Sequence, residues 1–290
     1  MFQRRGGFQG VLASSRRSLK TRIIVVTLAI IVAGIWSLTF YASRNLRSDM
    51  TRLLGEQQFS TVTLVANGVN HDFQDRISAL EEVGHQASGA FLVGPATVQA
   101  HLDRWKDIYS KFNGGTFATD RYGVAIASVP ASLARTGVDY RDREYLRTVL
   151  TEGRPVISEP MIGRVLNVPV IMMAVPVRND ANEIIGALVG VINMQEENFL
   201  DQIARNHYGK TGGFLLVVPK HRLVATATDK RRVLETLPPP GKVKLIDRFI
   251  DGFEGFGVTV NHHGVEMLAS AKSVPIAGWY VAALLPTKEA

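Results

Sequence analysis

The densest group of chemically capable side chains lies at residues 139–146, which read DYRDREYL, and is followed at residues 153–160 by GRPVISEP. An arginine held over a sheet can bind a carboxylate through two parallel hydrogen bonds, and charge-assisted bonds are roughly twice as strong as neutral ones. Arg143 is therefore a candidate anion-binding residue. The alternative is a surface salt bridge from Arg143 to Asp139 or Asp142, which would contribute only about 0–1 kcal/mol.

The sequence lacks the motifs of several enzyme and metal-site classes. It contains no cysteine, which excludes disulfides, thiol catalysis and cysteine-based zinc sites. It also contains neither G-x-S-x-G nor H-E-x-x-H. Residues 209–211 resemble the end of a P-loop, but the first glycine of that motif would fall at Ala204, so a loop is predicted. His262 and His263 are adjacent in a predicted turn and make a poor metal pair. We expect no catalytic site, metal or cofactor.

The polar cluster follows, later in the sequence, an uncharged run of twenty residues, 23–42, which reads IIVVTLAIIVAGIWSLTFYA. As a helix it would span about 30 Å, the thickness of a bilayer's hydrocarbon core. The six charged residues before it are all basic, which predicts a cytoplasmic tail at residues 1–22 and an outward domain after the run. A cleavable signal peptide is the alternative. Its apolar core is normally about 7–15 residues, and residues 40–43 form a poor cleavage site, so an uncleaved anchor is favoured.

The topology also explains the net charge of +7, which comes from 33 basic and 26 acidic residues. Without the six basic residues of the tail, the remainder carries 27 basic against 26 acidic residues and is nearly neutral. A basic chain often indicates nucleic-acid binding. Here the basic excess belongs to the tail that sets membrane orientation, so no nucleic-acid partner is expected.

A long helix is predicted directly after the membrane run, at residues 43–90. Its apolar residues recur at three- and four-residue steps, as in an amphipathic helix. They are Leu46, Met50, Leu53, Val62, Val65, Val69, Phe73, Ile77 and Leu80. We interpret this helix as a stalk, and parallel stalks with apolar seams would favour a homodimer. The alternative is two ordinary core helices broken near Gly55 or Gly68.

The rest of the chain predicts antiparallel strands with a few helices, an α+β class. A second helix is predicted from Pro95 to Phe112. Strands follow at residues 116–119, 124–128, 156–162, 168–178 and 184–194, and then on a smaller scale at 213–218, 223–228, 257–260, 265–274 and 279–285. Short helices are predicted at the end of the 139–150 segment and around 197–205. The boundary between two units falls near residues 207–212.

The polar cluster, with residues 186–193 and 208–214, resembles the double Cache (dCache) family of extracellular sensor domains, across residues 44–285. The most specific part is D-x-R-D-R-x-Y with its following S-E-P, which looks most like the variant found on membrane-bound diguanylate cyclases. The resemblance implies two stacked PAS-like units, membrane-distal at residues 91–206 and membrane-proximal at 207–290. It also implies a small-molecule ligand in the distal unit and no enzymatic activity in this chain.

The resemblance implies a set of ligand-binding positions. Arg143 would hold the ligand's carboxylate, with Tyr145 beside it. Amino-acid-binding members hold the ligand's amine with an aromatic-x-Asp pair about eighteen residues on and an Asp on a later strand; the matching positions here are Met161, Gly163 and Asn193. Each missing carboxylate partner would cost about 1.5–3 kcal/mol, so an organic acid or other polar metabolite is favoured over an α-amino acid. The predicted ligand-binding positions are Asp139, Arg143, Tyr145, Met161, Arg164 and Asn193.

The sequence therefore predicts the periplasmic sensor of a bacterial inner-membrane receptor, anchored by residues 23–42. The resemblance implies a cytoplasmic output domain beyond Ala290, of diguanylate cyclase type, so we expect either a sensor fragment or a naturally truncated chain. Two alternatives stay open. One is a scaffold that keeps the fold for dimerisation or protein contact, and the other, less favoured, is a membrane-anchored periplasmic hydrolase.

Overall fold

The computed structural model describes residues 19–105, 108, 110–205, 207–261 and 264–289. The predicted turn at His262 and His263 and most of the predicted cytoplasmic tail lie outside the described residues. The chain divides into two compact units, residues 1–50 and residues 51–290.

The described part of the first unit belongs to helix α1, Leu19–Val93, a span without proline. Every described residue from position 23 to position 46 is exposed, including the aromatic side chains of Trp36 and Phe40. The helix is long and apolar enough to cross a membrane. Apolar surface on this scale needs a cover in water, so the segment fits the anchor of a single-pass membrane protein.

In the second unit, α1 continues unbroken through Gly55 and Gly68, so the alternative of two helices broken there is wrong. Its buried side chains recur every three or four residues, among them Val62, Val69, Phe73, Ile77 and Leu80. Leu53 is 62% exposed although it belongs to the same predicted set. α1 ends where Gly94 takes a φ of 141°, and α2, Pro95–Leu102, starts with a proline, which suits the first helical turn.

The first of two sheets has six strands, all paired antiparallel. They are β1 Thr116–Asp120, β2 Ala125–Val129, β3 Val156–Ile157, β4 Met161–Ile162, β5 Pro169–Arg178 and β6 Ile184–Asn193. The strand order is β2-β1-β6-β5-β3, and β4 also pairs with β5. The connection from β2 to β3 contains a 3-10 helix, Ala131–Leu133, and helix α3, Glu144–Glu152.

The second sheet repeats this plan with six antiparallel strands. They are β7 His207–Tyr208, β8 Gly212–Val218, β9 Leu223–Ala227, β10 Gly255–Val260, β11 Glu266–Val274 and β12 Trp279–Pro286. Their order is β10-β11-β12-β8-β7, with β9 paired to β8. Helix α4, Asp201–Arg205, precedes this sheet, and a 3-10 helix, Lys230–Arg232, and helix α5, Lys244–Ile250, lie between β9 and β10. The chain is thus α+β, as predicted.

Each sheet has an inner face, which packs in one apolar cluster with α1, and an outer face with its own cluster. Successive strand residues point to opposite faces, so the two clusters alternate along every strand. On β5, Ile171 and Met173 lie on the inner face, whereas Val170 and Met172 lie on the outer face. The outer face of the first sheet is covered by α3 through Leu146 and the residues packed around it.

The two sheets contact different stretches of α1. The Gln58 side chain donates to the Leu268 carbonyl at 3.4 Å, and the Asn70 side chain accepts from the Ile276 backbone N–H at 3.1 Å, both in the second sheet's half. Farther along, the Arg76 guanidinium donates to the Lys111 carbonyl at 3.1 Å, and the helix passes beside Val177 of the first sheet at Gly84. The second sheet therefore contacts the part of α1 that is nearer in sequence to the apolar segment.

Two predicted elements differ from the structure, and two further elements were not predicted. The second helix ends at Leu102 instead of continuing to Phe112, because residues 103 and 104 form a turn. The predicted strand at residues 156–162 is instead two short strands, separated by residues 158–160. Pro160 in this gap has no N–H to donate to a neighbouring strand. Strand β7 and helix α5 were not predicted. The distal and proximal labels for the two units, and their exact bounds, stay predictions.

Candidate ligand-binding site

The predicted ligand-binding residues gather over the outer face of the first sheet, around the start of α3. Arg143 is the N-cap residue of α3, with extended backbone angles (φ −81°, ψ 122°), and its side chain is half-buried. Tyr145, Leu146 and Val149 on the first turns are buried against the sheet. Gly153 ends the helix with a φ of 65°, a left-handed conformation that favours glycine. The helix thus holds Arg143 at the edge of a packed core.

The acidic residues near Arg143 are paired with other arginines. Asp139 binds Arg141 at 2.6 Å, and Asp142 binds Arg164 at 2.6 Å. The hydrogen bonds from Arg141 lower the pKa of Asp139 to about 2. Among the described residues, Arg143 has no salt bridge to either carboxylate, so the alternative of a pair with Asp139 or Asp142 is not what the structure shows.

Arg143 is close to one of the other predicted positions. Its Nη1 lies 3.7 Å from the Met161 sulfur. Met161 on β4 and Asn193 on β6 are both cross-strand partners of Val170 on β5, one on each side. Directly opposite residues point to the same face, so Met161 and Asn193 both lie on the outer face. The sheet thus brings together positions that are thirty-two residues apart in the sequence.

Asn193 is buried, and its polar groups are used within the protein. Its side-chain oxygen accepts from the Gln195 backbone N–H at 3.0 Å, and its backbone N–H donates to the Asn113 side chain at 2.8 Å. Its carbonyl accepts from the Asn113 amide at 2.9 Å. In this structure Asn193 anchors the end of β6, and its contact with a ligand stays a prediction.

Arg135 is a residue that the sequence analysis missed. It is 2% exposed, and its Nη2 donates to the Gly114 carbonyl at 2.6 Å, whereas Nη1 has no hydrogen-bond partner among the described residues. No carboxylate in the described part of the chain forms a salt bridge with it. Burial lowers the pKa of the Arg135 guanidinium. Arginine nevertheless stays charged in proteins, so this is a buried cation without a counterion.

Two tyrosines lie beside this cation. Tyr140 stacks on Phe117 with ring centroids 4.7 Å apart, and the Arg135 guanidinium lies 5.5 Å from the Phe117 ring. Tyr145 is buried, and its hydroxyl has no hydrogen-bond partner among the described residues. Burial raises the pKa of both tyrosines, and the positive charges of Arg135, Arg143 and Arg164 partly oppose that rise. Both hydroxyls therefore stay neutral and can donate a hydrogen bond.

The site is thus positive, aromatic and rich in hydrogen-bond donors. Within the described part of the chain, the guanidinium groups of Arg135 and Arg143 have no carboxylate partner and the Tyr145 hydroxyl has no hydrogen-bond partner. Arg164 lies 5.7 Å from the Tyr140 ring at the surface. A buried donor left unsatisfied costs about 1–3 kcal/mol, and more when it is charged. An anionic group would satisfy these donors. No cluster of three or more metal-binding side chains occurs within the described residues.

The sequence offered only part of this arrangement. Arg143, Tyr145 and Met161 could be found from the motif and its spacing. Arg135 lies in an ordinary polar segment, LARTG, between a strand and the motif, and nothing in that pattern shows that the side chain turns inward. Its burial depends on the close approach of the Gly114–Gly115 backbone. At Gly115, where φ is 80°, an added Cβ would lie 3.1 Å from the Arg135 Nη1 and 2.5 Å from the Val129 carbonyl.

Comparison with known proteins gives a family match over most of the chain. The dCache_1 family model, described as a Cache domain, matches residues 43–290. No curated protein matches the sequence.

Several solved structures share the fold at low sequence identity. The ligand-binding domain of the Pseudomonas fluorescens chemoreceptor CtaA, in complex with L-isoleucine, is 17% identical, with a TM-score of 0.63 over 86% of this chain and 97% of that one. The domain of the Pseudomonas aeruginosa amino acid chemoreceptor PctB, in complex with L-Arg, is 20% identical, with a TM-score of 0.64 over 81% and 96%. An extracellular ligand-binding receptor from Desulfohalobium retbaense is 14% identical, with a TM-score of 0.63, and 79% of this chain spans 40% of that protein.

Proposed function

Because this chain belongs to the Cache domain family, we propose that it is the extracytoplasmic sensor of a transmembrane receptor and binds a small organic acid on the outer face of the first sheet. The observation that carries the proposal is Arg135, a buried guanidinium without a carboxylate partner in the described part of the chain. Arg143 and the Tyr145 hydroxyl supply further donors beside it. Arg164 and Asp139 would form the outer rim.

A carboxylate suits these donors for two reasons. A guanidinium binds the two oxygens of a carboxylate in a planar, bidentate arrangement. The site is also shielded by Phe117 and Tyr140, and attraction between opposite charges is stronger where water is excluded. The same donors would be costly to bury without an anion, so binding relieves a penalty that the empty site carries.

The ligand that we propose has no α-amino group, unlike the amino acids bound by the two chemoreceptor domains. The positions expected to hold an amine are Met161, Gly163 and Asn193, and none of them carries a negative charge. The nearby carboxylates of Asp139 and Asp142 are already paired with arginines. An ammonium group beside Arg135 and Arg143 would meet like charges without compensation.

We further propose the topology and the signalling role. Residues 23–42 would anchor the chain in the bacterial inner membrane, with residues 43–290 in the periplasm. The first sheet would be the membrane-distal unit, since its contacts on α1 are farther in sequence from the apolar segment. Ligand binding would shift α1 from one arrangement to another only by the difference between the ligand's affinities for the two. The motif resemblance supports an output of diguanylate cyclase type, and the exposed apolar residues of α1 support a homodimeric receptor.

Thermal-shift screening of the full chain in lipid nanodiscs tests this function. The panel contains succinate, malate, pyruvate and lactate, together with L-isoleucine, L-arginine and L-glutamine. At a concentration of about 100 Kd, a ligand stabilises the folded state by about 2.7 kcal/mol. We expect at least one organic acid to raise the melting temperature, and Arg143→Ala to abolish that shift.

Arg147→Ala is the matched control, because Arg147 is four residues away on the same helix and its side chain is exposed. This variant should keep the shift. A shift from the amino acids alone would contradict the proposed ligand class. An organic-acid shift that survives in Arg143→Ala would contradict the proposed site.

A further inference from the structure

The second sheet carries a cavity of about 640 Å³ on its outer face, the face turned away from α1. The cavity is lined by strand residues that include Leu215, Ala269 and Ala282, and by Ile246 and Phe249 of α5. Small-molecule sites usually measure about 300–1,000 Å³, so this one is of ordinary size for a ligand.

The part of the sheet that lines the cavity carries small residues beside a short helix. Gly213 on β8, Ala269 on β11 and Ala282 on β12 all line it. Gly213 and Ala269 are both cross-strand partners of Leu284. α5 has only seven residues, so it covers only part of the face. A partly open cavity of this size can hold a small molecule.

The lining of the cavity is mainly apolar, but it includes five charged residues. Three are basic and two are acidic: Lys210, Arg231, Arg232, Asp229 and Glu235. Arg231 binds Asp229 at 2.8 Å, and Arg232 binds Glu235 at 2.6 Å. These two salt bridges pair both acidic residues of the lining, so the five charged residues have a net charge of +1.

The remaining positive charge is that of Lys210. Its ammonium group forms no salt bridge with the described residues. The neighbouring carboxylate of Glu289 accepts from the Thr211 hydroxyl and from the backbone N–H groups of Lys210 and Thr211. These bonds, with a smaller contribution from the Lys210 charge, lower the pKa of Glu289. The lining thus combines an apolar body with one cationic group at its rim.

We propose that this cavity is a second ligand site, which binds an amphipathic monocarboxylate. The apolar part of the ligand would lie against Ala269, Ala282 and Phe249, and its carboxylate would bind Lys210. This site is independent of the one around Arg135, because it lies on the other sheet and shares no residue with it. It gives the second sheet a binding role of its own.

Calorimetric titration of the full chain in nanodiscs with 4-phenylbutyrate tests the proposal, with empty nanodiscs as the blank. Ala282→Phe fills the cavity and should weaken binding by about tenfold or more, equivalent to about 1.4 kcal/mol. Lys210→Gln changes an exposed side chain and should weaken 4-phenylbutyrate binding by about threefold or more, the size of a modest charge contribution. The neutral amide of the same acid should bind both wild type and Lys210→Gln equally.

Arg143→Ala separates this site from the first, and it should leave 4-phenylbutyrate binding unchanged. If Ala282→Phe does not fold by circular dichroism, Lys210→Gln alone decides. The proposal is overturned if the wild type shows no saturable binding in the millimolar range. It is also overturned if Lys210→Gln binds the acid as tightly as the wild type, or if Arg143→Ala loses binding. That last result would place the acid in the first site instead.

Discussion

Arg135 and Arg143 differ in what holds them when no ligand is bound. Arg143 is half-buried at a helix N-cap, where water can still reach it. Arg135 is buried, its Nη2 donates to the Gly114 carbonyl and the Tyr140 hydroxyl lies beside it, but its Nη1 has no hydrogen-bond partner among the described residues. A buried charge without a counterion destabilises the folded state, and exchanging buried ionic groups for apolar ones of similar volume is often neutral or stabilising. The ligand-free protein is therefore expected to carry a penalty at Arg135.

Replacement of Arg135 by Met should expose this penalty. We expect Arg135→Met to unfold at a melting temperature equal to or higher than that of the wild type, because Met fills the space without the charge. The organic acid should no longer stabilise the variant. Thermal unfolding with and without ligand measures both effects. A variant that is several degrees less stable without ligand would show that Arg135 is a structural residue.

Asp139 gives the site a defined pH dependence. Its pKa is lowered to about 2 by its hydrogen bonds to Arg141. A carboxyl whose pKa is lower in the folded state stabilises the fold above its unfolded pKa of about 3.9 and loses that effect as the pH falls toward the folded value. We therefore expect the melting temperatures of wild type and Asp139→Asn to differ by a constant amount from pH 7 to about pH 5.

Below about pH 4 this difference should shrink, and it should be nearly gone at about pH 2. Asp180→Asn, in an exposed turn, is the control that reports the effect of removing one carboxylate. A difference for Asp139→Asn that grows as the pH falls would contradict the assigned sign.

At the residue scale, the sequence could identify candidate ligand-binding side chains but not the residues that they contact. The carboxylate-binding role proposed for Arg143 was predicted from its residue type and from its place in the motif. The pairing of Asp142 with Arg164, twenty-two residues later, depends on how the loop before β5 folds. The loop geometry is set by tertiary contacts, which cannot be predicted from the spacing of residues in the sequence.

At the scale of elements, α1 is the structure on which both sheets are built. Phe73 lies edge-to-face with Phe199 at 5.2 Å and with Trp279 at 5.5 Å. Trp279 begins β12 of the second sheet, and Phe199 lies in the connection that follows β6 of the first. A single helix residue thus joins the two halves of the core.

Phe73→Ala should therefore destabilise the second unit strongly. Loss of a fully buried phenylalanine typically costs about 3–5 kcal/mol, from lost transfer free energy and the cavity left behind. Leu92→Ala is the control near the end of the same helix, since Leu92 is 65% exposed, and its effect should stay within about 0.5 kcal/mol. Urea unfolding followed by tryptophan fluorescence compares the two. Equal effects would mean that the packing around Phe73 is not as described.

The elements that the sequence predicted are those with a long regular pattern. The 3.6-residue period of α1 and the apolar runs of β5 and β6 are sustained over many residues, so local propensity and burial agree. β7 has two residues and α5 has seven, too few for a period to be recognised. The split of residues 156–162 into β3 and β4 depends on where the chain pairs with β5, a contact between segments.

At the scale of the whole molecule, the exposed face of α1 bears on the proposed homodimer. Leu53 and Leu64 are exposed on the side of the helix opposite Val62 and Val69. Parallel helices commonly associate through such an apolar stripe. The chain has no cysteine, so engineered cysteines report proximity without background.

Leu53→Cys should form an intermolecular disulfide under mild oxidation of the full chain in membranes. A disulfide requires Cα atoms about 4.4–6.8 Å apart, so cross-linking reports close helix contact. Arg52→Cys lies next to it, about 100° around the helix, and should cross-link less. Non-reducing gel electrophoresis compares the two. Equal cross-linking, or none in either, would contradict a dimer along this stripe.

Binding of an organic acid by Arg135, the buried arginine over the outer face of the first sheet, is the step on which the proposed function depends. Its most direct measurement is a calorimetric titration of the full chain in nanodiscs with the acid that gives the largest thermal shift. We expect one saturable site in the wild type and in Arg147→Ala, and a loss of affinity of about tenfold or more in Arg143→Ala and in Arg135→Met. Undiminished binding in both Arg143→Ala and Arg135→Met would contradict this expectation.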